Sequence, residues 1–292
     1  MIRMILFMCT NLSVMSVFGT VLFLAGIDGN SISGLMILSG LVGFGGSIIS
    51  LLLSKWTALK SFHGMILNKP NNPMELWILS TVHKQSYQVG ITPPTILIYY
   101  KQAVNAFATG CYKHSALLAL STGLLQVMNR DEIEAVIAHE ISHIANGDMV
   151  TLSLIHGVTN TFVFFISRIL SETITNFISD NKKSIYIQYC TTYIHFVIAT
   201  ILQTIFGGLA SMIVMWFSRY REFRADAGAA QLVGSEKIIN ALKKFHSISE
   251  PKYNIGMNAH YIHGKSGSSL HLFASHPPIQ TRIHAIYKKT YM

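Results

Sequence analysis

Long apolar runs alternate along the chain with mixed segments. Residues 4–26 (MILFMCTNLSVMSVFGTVLFLAG) form the first run and residues 32–54 the second. Each is long enough to cross ~30 Å of hydrocarbon as a helix. The second carries Gly34, Gly40, Gly43, Gly45 and Gly46, which suits close helix packing in lipid better than a soluble helix. The first lacks an A-x-A cleavage site, and another run follows at once, so it reads as an uncleaved anchor. A third run, Met149 to Leu170, is interrupted by His156, Asn160 and Arg168. The fourth, Tyr193 to Ser218, holds no Lys, Arg, Asp or Glu, and Trp216 and Arg219 mark an interface at its end.

Between these runs the pattern changes. Residues 55–92 read as amphipathic helices with a loop around Asn68–Pro73, and Pro93–Pro94 breaks the chain. Thr95–Tyr100 (TILIYY) is rich in branched and aromatic residues and predicts a strand. Asn105–Gly110 (NAFATG) and Ser115–Leu120 can extend it into a small sheet. A helix is predicted from Asp131, with Glu134 three residues on completing a capping box, and it loosens at Asn146–Gly147.

Composition supports membrane embedding. Half of the 292 residues are apolar and only 12% are charged, about half the usual share for a soluble domain. The mean hydropathy is +0.41. Cys9, Cys111 and Cys190 form no CxxC and no disulfide framework. The net charge of +9 is concentrated: seven Lys/Arg lie between residues 55 and 149, and eleven from Arg219 onward. The connection around residues 171–191 holds only Lys182 and Lys183, and residues 27–31 hold none. That asymmetry places the large segments on the cytoplasmic side. A basic chain also raises nucleic-acid binding, but no basic–aromatic stripe or recognition motif accompanies the charge. The third run admits a re-entrant or surface helix. Two crossings on each side of residues 131–147 would, however, return the late basic segment to the same side.

The chemistry is concentrated in HEISH, His139–His143. Two histidines four apart lie one turn apart on one helical face, as two imidazoles sharing an ion require. Glu140 sits where a carboxylate can take the proton of an attacking water without ligating the ion. A catalytic site needs a third protein ligand, and no histidine follows at the HExxHxxGxxH spacing. Glu222, in SRYREFRADAGAA (Ser218–Ala230), is the best candidate because it follows the fourth run directly. Asp226, four residues on, shares its face and can hold the far nitrogen of a ligand histidine, or else pair with Arg219, Arg221 or Arg224. Asp148 reads as a helix-end marker. His260, His263, His271 and His276 cluster too irregularly to argue for a second metal. The segment His246–Ser269 reads as a surface loop, with a mobile flap as the alternative. Metal binding without cleavage, as in a transporter or scaffold, is the competing function. Glu140 argues against it, because binding needs only the ligands.

HEISHIANGD, REFRAD, NAFATG and the late HPP with a following arginine together resemble the HtpX family of membrane-bound zinc metallopeptidases. The wider clan includes CAAX prenyl endopeptidases of the Ste24 type. The resemblance runs along essentially the whole chain. It implies one Zn2+ per chain on His139, His143 and Glu222, with Glu140 as general base and Asp226 behind the ligands. It implies that Asn105, Ala106, Phe107 and Ala108 form an edge strand aligning the substrate backbone. His276 would stabilise the oxyanion, and Arg282 would hold substrate or brace the ligand helix. The implied setting is membrane-protein quality control under stress in the bacterial inner membrane, on misfolded or damaged proteins.

The expected fold is an α-helical membrane protein with about four transmembrane helices and a mainly helical, zincin-like cytoplasmic catalytic domain carrying a small β-sheet. Residues 1–54 would hold two spans, 55–149 the first catalytic part, 150–218 two more spans, and 219–292 the second catalytic part. Both termini would be cytoplasmic. Membrane lipid and protein substrates are the expected partners, without nucleic acid.

Overall fold

A computed structural model describes Thr20 and residues 31–178, 185–249 and 276–291. The first apolar run, apart from Thr20, and His260, His263 and His271 lie outside the described residues. The chain divides into two units: residues 1–50 with 153–214, and residues 51–152 with 215–292.

The first unit is helical. Helix α1 (Ile32–Ser61) contributes its first part to it. Helix α5 (Asp148–Ile178) and helix α6 (Ile185–Val233) contribute most of their length. A Cβ at Gly43 would lie 2.7 Å from Thr161 Cα, and Ser153 Oγ donates to Ser47 O at 2.8 Å. Gly43 therefore serves close backbone approach, whereas a Cβ at Gly40 or Gly46 would meet nothing within 4 Å, so the expected packing role does not extend to those two. Segments Ile32–Ser61, Asp148–Phe177 and Tyr193–Val233 are each long and apolar enough to cross a membrane.

The second unit builds a four-stranded sheet. Its strands are β1 (Gly64–Ile66), β2 (Thr95–Tyr99), β3 (Ala106–Thr109) and β4 (Leu117–Ser121), in the order β1-β2-β4-β3. β2 and β4 run parallel, and the outer strands pair antiparallel. The central strands read as continuous hydrophobic runs because both faces are covered. Ile96, Ile98, Leu118 and Leu120 enter the main core, and Leu97, Tyr99, Leu117 and Ala119 a second cluster. The main core is completed by helix α2 (Pro73–Gln88), helix α3 (Thr122–Val127), helix α4 (Arg130–Asn146), helix α7 (Ser235–Ser249) and helix α8 (Ile279–Tyr287).

Two local expectations need correction. The stretch read as helical from residue 55 also contains β1, which pairs with β2 through Met65↔Ile98. The HEISH helix begins two residues early: Asn129 is its N-cap, and Glu132 completes the box by accepting from Asn129 N at 2.8 Å. Asp131 and Glu134 instead hold Lys237 Nζ at 2.7 and 2.6 Å. Asn129→Ala is therefore expected to lower unfolding stability by about 1 kcal/mol. Asp131→Ala, which removes only an exposed ion pair, should cost less than about half of that. Denaturant unfolding of both variants distinguishes the two cap assignments.

Candidate metal centre and active site

Helix α4 buries Ile133, Ile137, Ile141 and Ile144 in the core, which turns His139, Glu140 and His143 toward one cleft edge. Helix α6 packs close beside it because the residues there are small. A Cβ at Gly228 would lie 2.9 Å from Ser142 Oγ. That approach brings Glu222, only 2% exposed, to the two histidines. His139 Nε2 is 3.7 Å from Glu222 Oε2, and His143 Nε2 is 3.4 Å from Glu222 Oε1. One donor atom from each of His139, His143 and Glu222 falls within 4.8 Å of the others.

The far side of each imidazole faces a carboxylate. His143 Nδ1 lies 2.6 Å from Asp148 Oδ2. His139 Nδ1 lies 3.0 Å from Asp226 Oδ1, a close ion-pair contact without the alignment of a full hydrogen bond. Carboxylates in those positions hold the ring protons on Nδ1 and leave the Nε2 lone pairs to converge. The two Nε2 atoms are 3.1 Å apart. Two lone pairs at that distance repel unless a cation lies with them, so the donor set fits a metal ion. Without one, a proton takes its place. Burial pushes the His139 pKa down, but the carboxylates of Asp226 and Glu222 outweigh it and raise it to about 10. His143 is raised too, with burial outweighed by Asp148 and Glu222.

Asp226 is itself held. Arg282, on α8, donates from Nε to Asp226 Oδ2 at 2.7 Å and from Nη2 to Oδ1 at 2.6 Å, a bidentate pair. Its Nη1 lies 3.4 Å from Glu222 Oε2. His276 Nδ1 is 2.9 Å from Glu222 Oε2, with the ring largely exposed. Glu140 lines the same cleft, a cavity of about 300 Å³, together with Asn105, Ala106, His276 and Arg282. The side chain of Phe107 packs instead on Phe62 and Tyr99, and Ala108 packs against the main core. Those two residues can offer the cleft only their backbone.

Asp148 is the residue that sequence reasoning placed differently. It opens α5 and faces His143 because Gly147 adopts φ 69°, turning the chain sharply between two helices. The Asn146–Gly147–Asp148 string, with its helix-ending glycine four residues after the second histidine, carried the available signal.

A buried two-histidine, one-carboxylate site beside a free glutamate, in a chain with membrane-length helices, defines a membrane-associated metallopeptidase. Comparison with known proteins gives the same class: a profile of peptidase family M48 matches residues 74–290, and the chain belongs to that family. Proteins named Protease HtpX from Pectobacterium carotovorum subsp. carotovorum and Cronobacter sakazakii are 52% and 53% identical to it over 292 residues, covering 100% of both chains. The crystal structure of S. mikatae Ste24p shares the fold, with a TM-score of 0.67 at 17% identity. That similarity covers 94% of this chain and 62% of the other.

Two outcomes follow. Asp148→Asn keeps the shape but loses the anionic partner of His143, so metal affinity should fall roughly 10- to 100-fold with helix content unchanged. Competition with a chelator, read beside circular dichroism, measures both. The second concerns pH. In the metal-free protein the folded His139 pKa lies above its ordinary 6.5, so the stability from its proton is fully present below 6.5 and is lost as pH rises through about 10. The metal-stripped protein should therefore unfold at progressively lower denaturant concentration over that window. The metal-loaded protein should not show that decline.

Proposed function

We propose that this chain is a zinc metalloendopeptidase of the bacterial inner membrane. It would act on the cytoplasmic side on misfolded or damaged membrane proteins. The observation that carries this reading is the convergence of His139, His143 and Glu222 donors within 4.8 Å, with Glu140 lining the same cleft. One zinc per chain, held by those three residues, would supply Lewis acidity that activates water and polarises the scissile carbonyl.

The remaining steps belong to the protein. The Glu140 carboxylate takes a proton from the attacking water and delivers it to the leaving amine nitrogen. Asp226 and Asp148 keep the ligand imidazoles in one orientation, and Arg282 fixes Asp226. His276, exposed and bonded to Glu222, stands at the cleft where an oxyanion develops. The substrate backbone aligns along the outer strand β3 by main-chain hydrogen bonding, with Asn105 and Ala106 at the cleft and Phe107 and Ala108 continuing the edge. That mode reads little side-chain sequence. Val136, Ile238, Leu242 and Phe245 give the cleft an apolar wall beside His139 and Glu140. An apolar wall suits segments that a folded protein buries or a membrane protein exposes on unfolding.

Topology supports the orientation. Residues 1–54 and 150–218 would each contribute two crossings, leaving the catalytic parts 55–149 and 219–292, and both termini, in the cytoplasm. The concentration of Lys/Arg in those parts favours that side.

Cleavage of an unfolded protein by detergent-purified enzyme tests the proposal. Glu140→Gln should retain one zinc per chain while losing about 10³-fold or more in kcat. Equal turnover in both proteins would remove Glu140 from the mechanism.

A further inference from the structure

One buried polar group has no part in the chemistry above. Tyr99 closes β2 with only 1% of its surface exposed, and its ring is packed between Phe62 and Phe107. Its hydroxyl makes no well-formed hydrogen bond. Buried hydroxyls are nearly always paired, so this atom asks for a partner.

The sheet register says which partner is available. Tyr99 pairs with Ser121 across β2 and β4. The β4–β3 pairing continues past Ala106↔Leu120 to Asn105, where Ser121 N donates to Asn105 O at 3.0 Å. Tyr99, Ser121 and Asn105 thus form one row across three strands, and the side chains of the latter two act on the Tyr99 phenol. Ser121 has nothing left to offer. Its hydroxyl donates to Ala103 O at 2.8 Å and accepts from Asn105 N at 3.0 Å and Leu124 N at 3.1 Å. One proton and two lone pairs are the whole capacity of a hydroxyl. Asn105 Oδ1 remains as acceptor, on an exposed residue that lines the cleft with Glu140.

We propose that Tyr99 is a positioning residue. Its hydroxyl, unpaired in the peptide-free protein, donates to Asn105 Oδ1 once a peptide occupies the cleft, which fixes the carboxamide with its Nδ2 hydrogens toward a carbonyl oxygen of that peptide. Burial raises the Tyr99 pKa and outweighs the lowering action of the Asn105 and Ser121 side chains, with the Glu140 charge adding to the rise, so the phenol stays protonated and keeps its proton to donate. Asn105 thereby gains a defined direction although it sits at the exposed edge of the sheet. This inference rests on the peptidase reading of the site.

The test is a double-mutant cycle on zinc-loaded, full-length protein in detergent, with a quenched peptide as substrate and Glu140→Gln as control. Tyr99→Phe keeps the ring and removes the donor. It should lower kcat about tenfold with KM within about twofold, at unchanged melting temperature. Asn105→Ala should lower kcat at least as far, and adding Tyr99→Phe to it should cost less than about twofold more. Wild-type turnover in Tyr99→Phe, or an undiminished Tyr99→Phe effect in the Asn105→Ala background, overturns the inference. If Tyr99→Phe fails to fold, the tyrosine hydrogen-bond marker in ultraviolet resonance Raman difference spectra of peptide-bound wild-type and Asn105→Ala protein decides: a phenol signal shifted by Asn105→Ala supports the inference, and an unchanged one overturns it. Absence of zinc-dependent cleavage by the wild-type protein overturns the peptidase reading and this inference with it.

Discussion

Two imidazole nitrogens held 3.1 Å apart, with a carboxylate behind each ring, are the constraint that orders the second unit. Neither Nε2 can relieve the repulsion by turning away, because Asp226 and Asp148 hold the opposite edges. Glu222 adds a third anionic donor to the same spot. Three carboxylates gathered around two histidines, with the Arg282 guanidinium among them, are costly to bury without further positive charge. That electrostatic debt makes the site selective for a proton or a metal, and the raised histidine pKa values are its metal-free expression.

The groups that create this field come from distant parts of the chain. His139 and His143 lie on α4, Asp148 opens α5, Glu222 and Asp226 share one face of α6, and Arg282 arrives on α8. What allows them to meet is smallness at the crossings. Ser142 faces Gly228, and Ala225, Ala227 and Ala229 are buried around the acidic pair. The bidentate Arg282–Asp226 contact then ties the last helix to the ligand helix. Asp226 is thereby positioned from both sides, by a histidine and by an arginine, and this is how a ligand geometry is held without the ligand residues themselves being crowded.

Legibility followed the range of the interaction. HEISH is readable because four residues fix a shared face on any helix; Glu222 is legible because it follows the fourth apolar run directly, and Asp226 because it lies one turn on along the same face. β2 announces itself through its branched and aromatic run, and β3 and β4 are legible only as segments that can extend it. β1 is not, because three residues become a strand only when β2 offers them an edge. The helix start was displaced because Asn129–Glu132 and Asp131–Glu134 both satisfy the capping spacing, and Lys237, about a hundred residues on, occupies the second pair. Asp148 was read as punctuation because its role depends on the left-handed turn at Gly147. The clustering of Arg282, Asp226 and Glu222 needed the resemblance to a known family to be anticipated.

X-ray absorption at the zinc edge, on purified full-length protein, tests the metal centre most directly. The expected result is one zinc per chain with two imidazoles and a carboxylate among nitrogen and oxygen ligands, and loss of one imidazole in His143→Ala. Zinc bound through sulfur, or a spectrum unchanged in His143→Ala and Glu222→Gln, would place the ion elsewhere and contradict the assignment of this site.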